Sequence, residues 1–386
     1  MQKSRTPSKA AFAPPGYLLF ARGGTERPND GTLMAQRFDP ERLELEGDPF
    51  TVVDNVGIST AGNAGFTASE NGILALRSTR SGPVRLTRLT WFDRNGKPLG
   101  TLGEPAQYGS PRLSPDGTRV VVEIRDKSGQ ADLFLLDPRG VPTQFTFDSG
   151  YDIGAVWSPD GNRIAWTNRP DARGGATLYQ KASSNIEKEE KLPLEAGNWE
   201  IDDWVRLAGG DALLFHDGGS SPTSRPVFRL LPLAGGGGAQ VIGDARAPVA
   251  HVRVSPDGHW VAFTSRDSGR AEIYVQDFPK ATGLWRVSTA GGAQPVWQRP
   301  DGKELFYVAG GTLMAHPLKL TQTVEPGIPV PLFETHLVGG PSREYDVTPD
   351  GKRFLVNTPV DPEPGAAPPA PEPITVIVNW TAGLRK

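Results

Sequence analysis

One four-residue turn recurs along this chain of 386 residues and restricts its fold more than any other feature. It reads SPDG at Asp116, Asp160 and Asp257, RPDG at Asp301 and TPDG at Asp350. Proline fixes φ at one corner, aspartate accepts hydrogen bonds from the amides beyond it, and glycine takes the positive φ that other residues resist. The gaps between these aspartates are 44, 97, 44 and 49 residues, so 97 is two periods and one decayed copy is expected near LAGGDALLF at 207–215. Ser69-Glu70-Asn71-Gly72 and Ala13-Pro14-Pro15-Gly16 extend the series backward.

The reading gives eight units, over 9–55, 56–105, 106–150, 151–196, 197–245, 246–290, 291–338 and 339–386, or seven where an end unit forms no blade. A period of this length belongs to propeller blades or comparable repeats. The content of the period selects the propeller. In the sixth unit HVRVS enters the turn, WVAFTS leaves it, and AEIYVQDF and LWRVST follow. Such runs are short and rich in β-branched and aromatic residues, and no long 3.6-residue stripe competes with them. The expected fold is all-β: one propeller of four-stranded antiparallel blades spanning residues 1–386, closed on itself to remove exposed sheet edges. Residues 2–8 are expected to complete the last blade, because no fourth strand follows ITVIVNW. Residues 216–226 and the Pro-rich 361–373 are expected to be loops, and Glu187–Lys191 a charged loop or edge strand.

Composition excludes several chemistries. Cysteine is absent, which removes disulfides, thiol catalysis and zinc–thiolate sites. With 41 basic and 44 acidic residues there is no global attraction to nucleic acid or anionic membrane. No apolar run reaches the length of a membrane-spanning helix, and residues 1–15 do not form a signal peptide. Gly235–Gly238 lacks the lysine and following helix of a phosphate loop. No metalloprotease, dinucleotide or serine-hydrolase motif occurs, so neither a cofactor, a metal ligand set nor a catalytic residue is assigned.

Recurring residues are discounted as structural. The five turn aspartates serve the turn, and Asp39, Asp93, Asp137 and Asp277 mark exits from third strands. Trp157 and Trp297 precede the turn at equivalent places and belong to the core between blades. His216 falls in the fifth-unit loop, His259 after a turn and His316 in a third strand, leaving His251 near the axis. Function is sought where the repeats disagree, at the leading ends of the innermost strands, which line one mouth of the axial channel. These residues are Tyr108, Tyr151, Asp152, Trp199, Glu200, Asp202, His251, Arg253, Gln294, Arg343 and Tyr345. Aromatic area with fixed charges suits a protein or peptide partner, and secondarily a small polar ligand or oligosaccharide. A lyase or hydrolase is the third reading, since general acid–base work needs two groups around one atom and no spacing here specifies such a pair.

VWSPDGNRIAW at 156–166, RVSPDGHWVAFTS at 253–265 and VTPDGKRFLV at 347–356 resemble the repeats of TolB-like, PD40-type propellers. More narrowly, YLLFARGGT, LTWFDRNGKPLGTLGEP, DLFLLDPRGVPTQFTFD and ITVIVNWTAGLRK resemble, in order, the propeller region of bacterial membrane-anchored serine/threonine kinases. The resemblance implies an extracytoplasmic, periplasmic-side module for sensing or protein interaction. The kinase motifs HRD and DFG are absent, so kinase activity does not carry over.

Overall fold

The computed structural model describes residues 8–23, 30–57, 64–77, 86–127, 129–170, 175–217, 227–235, 237–244, 249–337, 343–360 and 374–383. It is built from antiparallel strands, and among the described residues the one helical segment is the 3₁₀ turn Trp380–Gly383. The chain divides into two compact units, Arg85–Asp361 and Met1–Val84 with Pro362–Lys386.

Among its described residues the larger unit contains six sheets, five of four strands and one, starting at Ala293–Trp297, of five. Four are consecutive in the chain and begin with the innermost strands Tyr151–Trp157, Trp199–Leu207, Val249–Val254 and Ala293–Trp297. The long strand Pro98–Leu113 serves two sheets. Residues 107–113 pair with Val120–Arg125 to start one sheet, whereas 98–106 pair with Thr87–Asp93 and close another. The sixth sheet is therefore a clasp: Tyr345–Val347 and Arg353–Pro359 from the C-terminal side, then Thr87–Asp93 and 98–106 from the N-terminal side. Asn357 lies opposite Leu89, and the hydroxyls of Thr90 and Thr358 are 3.0 Å apart.

Six apolar clusters join successive sheets and return to the start. Val121, Leu133 and Phe145 meet Trp157 and Trp166. Val156 and Leu178 meet Trp204 and Phe215. Leu214 and Phe228 meet Val252 and Phe263. Trp260 and Ile273 meet Trp297 and Tyr307. Phe306 and Leu313 meet Tyr345 and Phe354, and Leu89 and Leu355 meet Val120 and Val122. Burying one apolar face against each neighbour is what a propeller does, and it leaves only outer edges unpaired. Glu190–Lys191 is such an edge, paired to Gln180 and Tyr179.

Each turn forms as its residues dictate. Ser158 Oγ donates to Asp160 Oδ1 at 2.6 Å, the Asn162 amide donates to the same oxygen at 3.0 Å, and the Arg163 amide donates to Ser158 Oγ at 2.8 Å. Gly161 holds φ at 72°. Thr348 and Asp350 repeat the pattern. The decayed copy survives as a hairpin with Leu207 opposite Gly210.

The smaller unit holds a four-stranded sheet from Ser8–Ala13 to Glu44–Gly57 and a three-stranded sheet of Phe66–Ala68, Ile73–Arg77 and Ile374–Val378. Leu19, Leu33, Leu74, Leu76 and Trp380 share its core.

These pairings correct the expected placement of strands toward the two ends of the chain. ITVIVNW, expected as the third strand of the last unit, supplies Ile374–Val378, which pairs with Ile73–Arg77 instead. Its expected place beside Arg353–Pro359 is taken by Thr87–Asp93. That clasp, rather than an N-terminal segment, completes the last sheet of the larger unit; the expected closing strand at 2–8 falls, but for Ser8, outside the described residues, as do 361–373 and most of 216–226. Among the described residues no helix is long and apolar enough to cross a membrane.

Candidate functional site

Five innermost strands have as their penultimate residues Arg112, Val156, Arg253, Val296 and Asp346, and Asp203 holds the corresponding place in Trp199–Leu207. In order round the six sheets the sequence is Arg, Val, Asp, Arg, Val, Asp. The pattern has a two-fold character that extends to its bonds. Asp203 Oδ2 accepts the Val254 amide of the next sheet at 3.0 Å, and Asp346 Oδ2 accepts the Leu113 amide at 2.8 Å. Trp157 Nε1 donates to the Arg112 carbonyl at 3.0 Å, as Trp297 Nε1 does to the Arg253 carbonyl at 3.0 Å. Both carboxylates are buried. Burial pushes Asp203 and Asp346 above the usual carboxylate range against the pull of Arg112, and burial likewise lowers Arg112. A carboxylate that accepts a backbone amide and faces a guanidinium is a fixed structural element, because removing either partner strands a buried charge.

The two halves differ at the arginines. Arg112 Nη2 donates to the Asp202 carbonyl at 3.0 Å. Arg253 has no such acceptor: among the described residues nothing takes a hydrogen bond from its Nε or Nη2. Its nearest carboxylate oxygen, Asp346 Oδ1, is 3.6 Å from Nη2, and the side chain is 9% exposed. The same half carries an extra residue in its turn, since VWQRPDG replaces VWSPDG. The inserted Arg299 is exposed and lines one cavity together with Arg112, Asp203, Arg253, Val296 and Asp346.

Of the residues chosen from sequence, only Arg253 lines that cavity. Five others are buried and structurally engaged. Tyr108 donates its hydroxyl to the Glu104 carbonyl at 2.6 Å, and Tyr345 donates to the Gln294 carbonyl at 2.8 Å. The Gln294 side chain accepts the Glu344 amide at 2.8 Å. Asp152 accepts Trp166 Nε1 at 3.0 Å and Asn168 Nδ2 at 2.8 Å, with its carboxyl raised by burial. Asp202 lies 2.7 Å from His216 Nδ1.

That last contact corrects the sequence reading of His216. It belongs to the strand Gly210–Asp217, not to a loop, and is 6% exposed. Burial alone would lower its pKa, but Asp202 and the more distant Glu200 hold it at about 9. The shift favours the imidazolium over the neutral ring, which makes His216 a poor general base, while burial raises the carboxyl of its partner Asp202.

Tyr151, Trp199, Glu200, His251 and Arg343 retain accessible surface at the leading ends. Arg229 lies over the Trp199 ring at 5.1 Å, Arg169 reaches the Trp199 carbonyl and Glu200, and Arg343 donates to the Val252 carbonyl at 2.6 Å. His251 Nδ1 lies 3.5 Å from Thr264 Oγ1. Arg112, Asp203, Arg299 and Asp346 were not among the sequence candidates. For Arg112 and Asp346 the signal was a charged residue four positions before the turn aspartate, as in SPRLS and YDVTPD. Among the described residues no group of three His, Asp or Glu side chains is placed to hold a metal ion.

No known family model matches the chain. A solved putative TolB from Agrobacterium tumefaciens superposes with a TM-score of 0.54 at 17% identity, over 72% of this chain and 99% of that one. The propeller fold is shared with TolB. TolB from Acinetobacter baumannii aligns at 14% identity over 88% of this chain and 78% of its own, with a TM-score of 0.45. An oligogalacturonate lyase in complex with manganese aligns at 16% identity over 72% and 97%, with a TM-score of 0.46. At such identities the likeness concerns the fold, and function has to be argued from the site.

Proposed function

We propose that the protein is a non-catalytic interaction module, in which the propeller unit presents the leading ends of its innermost strands to a protein or peptide partner. The observation that supports this reading is how the polar groups near the axis are used. Asp152, Asp202, Asp203 and Asp346 are committed to tryptophan, histidine and backbone donors, while Tyr151, Trp199, Glu200, His251 and Arg343 stay accessible. Half-buried to exposed aromatic and charged residues at the ends of paired strands have the composition of a recognition surface, in which aromatics supply area and charges fix orientation. Following the sequence resemblance, the reading extends to the extracytoplasmic part of a receptor kinase-like protein.

A photo-crosslinking amino acid placed at Tyr151 or Trp199, and separately at the exposed Ile186 as a control, tests it in the source cells. A defined protein adduct from the first two positions that is absent from the third is expected. Adducts from Ile186 alone, or none from any position, would remove the reading. Recovery of the chain from the cytoplasmic fraction would remove the proposed location.

A further inference from the structure

We propose that a cavity between the clasp sheet and the sheet that follows it binds a small planar aromatic molecule, whose ring stands where a tryptophan stands at the next interface. The cavity is walled by Trp91, Leu102 and Arg353 of the clasp and by Leu113, Val120 and Pro138 of the following sheet. Arg353, Thr118 and Pro138 are exposed at its mouth. It lies at the turn end of the innermost strands, away from the partner surface proposed at their leading ends, so either can fail without the other.

Two comparisons within the molecule carry the proposal. At the next interface, Arg119 comes three residues after the turn aspartate Asp116, and its guanidinium lies over the ring of Trp157 at 4.9 Å. Trp157 itself comes three residues before the next turn aspartate, Asp160. At the clasp, Arg353 likewise comes three residues after Asp350, but the residue three before Asp116 is Leu113. The guanidinium is kept and the indole it would face across the interface is not. Arg353 lies instead over Trp91 of its own sheet, at 5.2 Å, and a planar guanidinium can hold an aromatic ring on either face.

The second comparison is with the interface related by the two-fold pattern. There Val254 and Val261 stand for Leu113 and Val120, and the exit from the third strand reads Asp277-Phe278 where the clasp interface has Asp137-Pro138. Phe278 is 6% exposed and shares one apolar cluster with Val254 and Val261. Pro138 is exposed and brings no ring. The clasp interface therefore lacks both aromatic side chains that fill its counterparts, and a cavity of about 220 Å³ stands there. An apolar cavity of roughly 150 Å³ already holds benzene. The walls favour a ring through Trp91, Leu102, Leu113 and Val120. Asp137, at the rim, is committed to Arg139 and to the Arg139 and Val141 amides, which leaves Arg353 as the charge that meets the ligand and disfavours a cationic one.

The test titrates the full chain with phenol and with cyclohexanol, which carries the same hydroxyl on a saturated ring, following ligand-observed NMR and the unfolding midpoint. Saturable binding of phenol is expected, with cyclohexanol several-fold weaker. Leu113→Trp, which supplies the ring of the next interface from the chain itself, should abolish phenol binding in a folded protein. Arg353→Ala should weaken phenol by about two- to fivefold, the loss of one exposed cation–π contact. Ile186→Ala, at an exposed position that does not line the cavity, should change nothing. Absence of saturable phenol binding, cyclohexanol binding as tightly as phenol, or unchanged phenol affinity in a folded Leu113→Trp or in Arg353→Ala would each overturn the proposal. If Leu113→Trp does not fold, Pro138→Phe at its exposed position decides, and unchanged phenol affinity in it overturns the site.

Discussion

His216 makes the stability of the larger unit depend on pH in a direction opposite to that of an isolated buried histidine. Its ring is 6% exposed and its Nδ1 lies 2.7 Å from Asp202. Burial works against the imidazolium, yet Asp202 and Glu200 lift the pKa from an ordinary 6.5 to about 9. A folded-state pKa above the unfolded value means that the folded protein holds the proton more tightly. The associated stability is present in full below pH 6.5 and is lost as pH rises through about 9. The interval corresponds to about 3 kcal/mol. Urea unfolding of the wild type and His216→Gln between pH 6 and pH 10 measures it. The variant should be less stable at pH 6, where it leaves the Asp202 carboxylate buried without a counter-charge, and the gap between the two proteins should narrow toward pH 10. A gap that stays constant across that range, or widens with pH, would refute the assignment of His216 as a buried cation.

The two-fold relation along the axis makes paired predictions. Trp157→Phe and Trp297→Phe each remove one indole hydrogen bond to a neighbouring sheet, and each should cost about 1–2 kcal/mol in denaturant unfolding. Asp203→Ala and Asp346→Ala each release a buried amide and a facing arginine. Each should cost about 3 kcal/mol or more, and a neutral effect of either would contradict its structural role.

The turns and most strands were legible in the sequence because their causes are local. Proline, aspartate and glycine at Asp116, Asp160, Asp257 and Asp350 need nothing distant to form a corner, and the apolar runs on either side alternate with the sheet faces they build. Trp157 and Trp297 were read as core for the same reason. The pairing of LTWFD with KRFLVNT has no local sign. Thr90 and Thr358 are 268 residues apart, and either strand would suit any neighbouring sheet by its own composition. Counting turns therefore counted units without showing which strands complete each sheet. The site was legible only in part. Choosing residues at the leading ends named Trp199, Glu200 and Arg343, which keep accessible surface, but Arg112 and Asp346 sit one residue before their strand ends, and Asp203 at the corresponding place, in runs that read as core. Their role depends on what the strand from another sheet brings opposite, as with the Leu113 amide on Asp346. His216 was assigned to a loop because glycine and proline follow it closely, although the strand continues to Asp217 before they begin.

The clasp between the strands Thr87–Asp93 and Arg353–Pro359 completes the six sheets and thereby positions every axial side chain, so it is the claim to test most directly. The chain has no cysteine, which allows a clean cross-link. Arg88→Cys with Thr358→Cys puts two thiols on directly opposed positions of the two strands, where cross-strand Cβ atoms are about 4.5–5.5 Å apart and a disulfide is within reach. Mild oxidation should give a quantitative intramolecular disulfide, and on the chain-entropy account it should stabilise the protein by up to about 5 kcal/mol relative to the reduced form. Failure of the two cysteines to join in the folded protein, with joining only after denaturation or between chains, would show that these strands are not neighbours and would contradict the clasp.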